Sequence, residues 1–206
     1  MDKIKKYYFL DPKAYKDEPI AYASDGLIVG HQFWERIKDM DALPFDLTLY
    51  DVKVTSKGIR KTGVSSQIPI DYVANSEALP MMSGKMRAII ETGLNGNEGV
   101  RWMSAKIQNA TDTFQYFVPV FTKFLDTLDL ERTLFSVRST ESFVKPYRNI
   151  VKPYFKVAVV QQYGMFHNCG PFWQITTGIY LRADIMKALK QEKITGVSFS
   201  TEALLV

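Results

Sequence analysis

The stretch Val100–Phe121, VRWMSAKIQNATDTFQYFVPVF, decides the class of the fold. Val100 to Ile107 and Phe114 to Phe121 are both strand-like, and the turn-forming Asn109-Ala110-Thr111-Asp112 separates them. That pattern predicts a hairpin, with Pro119 near the end of its second arm. Downstream, Phe172 to Arg182 alternates clearly, with Trp173, Ile175, Thr177, Ile179 and Leu181 on one face, and reads as a strand. Phe155 to Val160 reads as another strand and Val197-Ser198-Phe199 as a last short one. Between them, Asp184 to Glu192 predicts an amphipathic helix with Ile185, Ala188 and Leu189 inward and Gly196 beyond its end. Leu128 to Val137 mixes acidic and apolar residues and fits a short strand or a turn equally.

Upstream of the hairpin, Lys5 to Leu10 reads as a short aromatic strand, and Gly30 to Met40 as a helix carrying Phe33, Trp34, Ile37 and Met40. Phe45 to Val54 reads as a strand whose period breaks. Phe45, Leu47 and Leu49 share one phase, whereas Tyr50, Val52 and Val54 share the other, so a bulge is expected near Leu49-Tyr50. Thr55 to Ser66 is polar and predicts a turn or long loop; Ile68 to Val73 predicts a strand that Pro69 confines to an edge or a start. Ser83 is placed to cap a helix running to about Thr92, with Gly93 at its end. Strands with helices scattered among them, without strict βαβ alternation, predict an α+β fold: mainly antiparallel sheets with a few short amphipathic helices. A length of 206 residues fits a single domain over 1–206, with the glycine-rich run Gly93–Gly99 as a candidate seam between halves that share a core.

Composition narrows the function. Hydrophobic residues make up 46% and charged residues 23%, enough apolar surface to offset the entropy of ordering the chain. No run of about 18 apolar residues is present, which argues against a membrane-spanning helix. The basic start at Met1–Lys6 lacks the apolar core of an export signal, and cytoplasmic localisation is expected. The single cysteine, Cys169, forbids an internal disulfide and a cysteine zinc cage. A net charge of +4 does not by itself point to nucleic acid. Val157 to Leu181, 25 residues, carries no Asp, Glu, Lys or Arg, the pattern of a buried hairpin.

Motifs for chemistry are sparse. His167 and Cys169 are the one thiol–imidazole proximity, and an enzyme using them is one reading; a buried thiol beside a turn histidine is the other. His31 lies too far away in sequence to complete a metal motif, so no metal, cofactor-binding or catalytic residue is assigned. Lys145-Pro146-Tyr147-Arg148 and Lys152-Pro153-Tyr154 repeat a Lys-Pro-Tyr unit in which lysine could meet phosphate and tyrosine could stack on a base, which gives a nucleic-acid-binding alternative. Phe166, Phe172 and Trp173, if exposed, would instead mark a protein-binding patch. Phe166, Phe172, Trp173, Lys152 and Tyr154 are therefore the candidate partner-binding residues.

Phe114–Val120 with Leu125–Thr133, then Tyr180–Leu189 with Ile194–Phe199, together resemble a bacterial family of immunity proteins from polymorphic toxin systems. The likeness lies in an aromatic strand followed by an acidic turn, and in a closing helix, Thr-Gly turn and strand. Leu79-Pro80 and the Ser83–Thr92 helix are similar too. Thr133 stands where relatives commonly carry serine, and the uncharged Gly164–Pro171 run replaces a shorter polar link. The resemblance covers about the last hundred residues. It implies a non-enzymatic α+β binder, without cofactor, that neutralises a cognate protein toxin, usually encoded by an adjacent gene, by occluding it.

Overall fold

The computed structural model describes residues 5–13, 18–23, 39–135, 150–169, 173–176 and 178–205. Its elements in chain order are β1 (Tyr7–Pro12), β2 (Ile20–Ala23), β3 (Leu47–Thr55), β4 (Gly58–Val64), β5 (Tyr72–Val73), β6 (Met81–Ser83), α1 (Gly84–Gly93), β7 (Val100–Gln108) and β8 (Thr113–Phe121). They continue with β9 (Leu134–Phe135), β10 (Ile150–Lys152), α2 (Val157–Val160), β11 (Met165–His167), β12 (Ile179–Arg182), α3 (Ala183–Gln191) and β13 (Val197–Glu202). The fold is α+β. Its strand pairs are antiparallel except for a short parallel pairing of β3 with β7. Among the described residues no helix is long and apolar enough to cross a membrane.

The β7–β8 hairpin stands at the centre of the larger sheet, ordered β2-β3-β7-β8-β6-β5 with β4 added to β3. Nine residue pairs run in register from Val100↔Phe121 to Gln108↔Thr113. Asn109 closes the turn, its Oδ1 accepting from the backbone N–H groups of Thr111 and Asp112. A second sheet, β11-β12-β1-β13, places the N-terminal strand between two C-terminal ones. One core cluster joins Tyr7 and Leu10 of β1 to Met86 and Ile90 of α1 and to Ile185 and Leu189 of α3. Another fills the space beside Leu47, Met103, Ile107 and Val118 of the larger sheet.

Close contacts explain two of the glycines. A Cβ on Gly93 would collide with the side chain of Ile185, so the α1–α3 packing requires glycine there. Gly196 has φ +79° and lies against the carbonyl of Tyr72, which excludes any side chain. The same turn is held through Asp71. One of its carboxylate oxygens accepts from the backbone N–H and the hydroxyl of Thr195, and the other accepts from the hydroxyl of Ser83. Ser83 in turn caps α1, its Oγ accepting from the Met86 N–H at 3.1 Å.

Several expectations are corrected. Thr55–Ser66 contains the expected turn at Ser56-Lys57, but Gly58–Val64 is no loop: it is the return strand β4, invisible to periodicity because all seven of its residues are exposed. The period break in β3 has a different origin from a bulge at Leu49-Tyr50. Asp51 pairs with Gly63 and Val52 with Lys61, so the extra residue is Thr62 on β4. Both faces of β3 are buried in turn, first at Leu47 and Leu49 and then at Val52. Phe155–Val160 does not continue as a strand: Val157–Val160 forms one helical turn, and the Tyr7 hydroxyl lies 2.7 Å from the carbonyl of Val160 and 2.8 Å from that of Tyr163. That tertiary donor reaches the carbonyls at the end of the turn and overrides the β-branched run.

The strand expected from Phe172 begins only at Ile179. The carbonyl of Gln174 accepts from the N–H of Phe121 at the end of β8, and the Thr176 hydroxyl accepts from the N–H of Gly178, so both groups leave the ladder. Of Ile68–Val73 only Tyr72 and Val73 pair, and Ile68 is 77% exposed. The Gly30–Met40 helix, as far as residue 38, lies outside the described residues, as do His31 and the Lys145–Arg148 unit. The uncharged run contributes the buried hairpin of β11 with β12, paired Met165↔Leu181 through His167↔Ile179.

Candidate partner-binding surface

His167 and Cys169 are both fully buried. Nε2 of His167 accepts from the Leu125 N–H at 3.0 Å, so Nδ1 carries the proton and donates to the Asn168 carbonyl at 2.9 Å. Phe121, Phe124 and Trp173 surround the ring, with centroids 4.7, 5.5 and 5.4 Å away. Burial pushes the imidazole down to about 4. The Cys169 sulfur sits 3.6 Å from the Leu125 carbonyl and 3.7 Å from the Thr127 hydroxyl, and burial raises its pKa. Both ring nitrogens therefore face backbone groups, and neither is available to take a proton from the thiol. Together the two side chains pin the acidic turn after β8 to β11.

The candidate partner-binding residues separate. Phe166 is fully buried and cannot meet a partner. It stacks on Tyr180, with centroids 5.0 Å apart and planes at 7°, and meets Phe155 edge-on at 4.9 Å. Trp173 is half-buried against His167 and Phe124, and Phe172 lies outside the described residues.

Lys152 and Tyr154 reach a common surface. The backbone of Tyr154 is fixed on both sides: its carbonyl accepts from the Asp129 N–H at 2.8 Å, and its N–H donates to the Thr133 hydroxyl at 3.1 Å. The Phe155 N–H donates to the Leu204 carbonyl at 2.8 Å, which seats Phe155 in the core. Two adjacent hollows result. One, of about 320 Å³, lies between Phe9, Val151, Lys152, Phe155 and Tyr180; the other, of about 410 Å³, lies between Lys5, Lys6, Tyr154 and Val157. Both are bounded by Ala203 and Leu204. Phe9 and Tyr180 meet edge to face at 5.3 Å and line the first hollow, with Phe166 supporting Tyr180 from beneath. Lys5, Lys6 and Lys152 stand exposed around the pair, and the Lys152 ammonium lies 5.4 Å from the Tyr154 ring.

Such a surface can accept apolar side chains over an aromatic floor while its cations meet carboxylates. Burial raises the Tyr180 hydroxyl to about 12. Among the described residues no group of His, Cys, Asp or Glu is placed to hold a metal ion. Sequence reasoning found Lys152 and Tyr154 through the Lys-Pro-Tyr repeat but missed Phe9, Lys5 and Leu204, which reach the hollows from the chain ends. It also missed Glu98, buried with Oε1 accepting from the N–H groups of Asn95 and Gly164. No protein-family model and no curated protein sequence matches the chain.

Proposed function

We propose that this chain is a non-catalytic immunity protein of the bacterial cytoplasm, which neutralises a cognate protein toxin by covering it. The observation that carries the reading is the paired hollow beside Tyr154: an aromatic floor already assembled and open to solvent, surrounded by lysines. Binding energy concentrates where aromatic anchors meet preformed pockets, and preorganisation lowers the ordering cost of association. An interface of about 1,200–2,000 Å² centred there is the size of a stable complex. The likeness of the C-terminal half to immunity proteins supports the same reading, and His167 and Cys169 serve packing rather than turnover.

The test is co-expression with the protein encoded by the adjacent gene. Growth should be rescued and the two proteins should co-purify. Tyr154→Ala combined with Lys152→Glu should weaken both effects without unfolding the chain, since neither side chain is buried. Persistent toxicity with no complex at micromolar concentration contradicts the proposal.

A further inference from the structure

The β3–β4 hairpin lies on the larger sheet, away from the surface just described, and its chemistry stands independently of the proposed toxin. Among the described residues β4 pairs with β3 alone, and the backbone N–H and carbonyl groups of its other edge have no partner there. Val52 to Ser66 contains Lys53, Lys57, Arg60 and Lys61 and no acidic residue. Lys61 lies over the Tyr22 and Tyr50 rings at 3.8 and 4.5 Å, while Lys53, Lys57 and Arg60 have no ion-pair partner among the described residues.

The two faces of the hairpin differ. On one face Lys53 and Arg60 are direct cross-strand partners, a like-charge placement that costs stability in the free protein. On the other, Val54 and Ile59 are partners and both are 56% exposed. They open onto a groove of about 110 Å³ that reaches Val52, Ile70, Tyr72 and Pro19.

We propose that the free edge of β4 receives an extended, acidic segment of a partner protein as an added strand. Side chains on an added strand alternate between faces. Apolar residues would then lie beside Ile59 and acidic residues beside Arg60, with Lys53 one strand further across the same face. The recognised segment is one in which apolar and acidic residues alternate, held by main-chain hydrogen bonds along β4. Two copies of this chain are a poor match for each other, because edge cations repel. Duplex DNA would engage Arg60 and Lys53 and leave the exposed Ile59 without a role.

The experiment uses the full ¹⁵N-labelled chain and three probes: a Val/Glu alternating peptide as long as β4, its Val/Lys counterpart, and duplex DNA of mixed sequence. The Val/Glu peptide should slow amide exchange across Gly58–Val64, and the Val/Lys peptide should not. Lys53→Glu combined with Arg60→Glu should reverse the preference by about tenfold in each direction. Arg60→Gln alone should weaken Val/Glu binding about threefold. Equal response to both peptides, protection elsewhere in the chain, no binding, or protection of β4 by DNA or by self-association overturns the proposal.

Discussion

The backbone N–H of Leu125 donates to Nε2 of His167 across 3.0 Å, so the fold holds this imidazole in its neutral form. Its pKa in the native state is about 4, against about 6.5 for the unfolded chain. The pH dependence follows from that sign. Above about 6.5 both states are neutral and the full contribution is present. As pH falls towards 4 the unfolded chain takes up a proton that the native state refuses, and stability declines by on the order of 3 kcal/mol. Chemical denaturation at several pH values should show this slope, and His167→Gln should flatten it between about pH 6.5 and 4.

Cys169 should resist thiol reagents. Its buried sulfur faces a carbonyl and a hydroxyl, and burial disfavours the thiolate that such reagents need. Labelling is expected only after denaturation, with Cys169→Ala costing about 1–2 kcal/mol and leaving the proposed toxin protection intact. Rapid labelling of the native chain would contradict the assignment.

Asp71 ties the cap of α1 to the Thr195-Gly196 turn through three hydrogen bonds. Asp71→Ala should cost about 1–3 kcal/mol, measured as a shift in denaturation midpoint. Asp71→Asn should recover part of the loss, because its remaining carbonyl oxygen can still accept on one side.

Phe166 and Tyr154 should behave oppositely. Phe166→Ala removes a fully buried ring that stacks on Tyr180 and should cost about 3–5 kcal/mol. Tyr154→Ala removes a half-buried ring at the hollow and should change stability by about 1 kcal/mol or less. Thermal melts of the two variants distinguish them. Retention on single-stranded DNA that falls steeply with salt and is lost in Tyr154→Ala would instead favour nucleic acid as the ligand.

What could be read from residue order follows the physics of each segment. The β7–β8 hairpin was legible because its arms carry strand formers and Asn109 supplies the turn. Ser83, Gly93 and the Ile185/Leu189 stripe were legible because caps and amphipathic faces are local properties. The β4 strand was not, since a ribbon exposed on both faces shows no alternation. The helical turn at Val157–Val160 was also hidden, because the tyrosine hydroxyl that meets its last carbonyl comes from β1, some 150 residues earlier. Of the candidate site, Lys152 and Tyr154 were visible as a local Lys-Pro-Tyr unit. Phe166 misled because an aromatic in an uncharged run fits an interface and a core equally well, and only burial separates the two.

The most direct test of the central claim is calorimetric titration of the purified chain with the protein encoded by the adjacent gene, using wild type and the Lys152→Glu, Tyr154→Ala double variant. One-to-one saturation by the wild type, weakened at least about tenfold in a double variant that melts like the wild type, is the predicted result. Equal affinity of both forms would contradict the placement of the interface, and absence of any heat or complex would contradict the binding role itself.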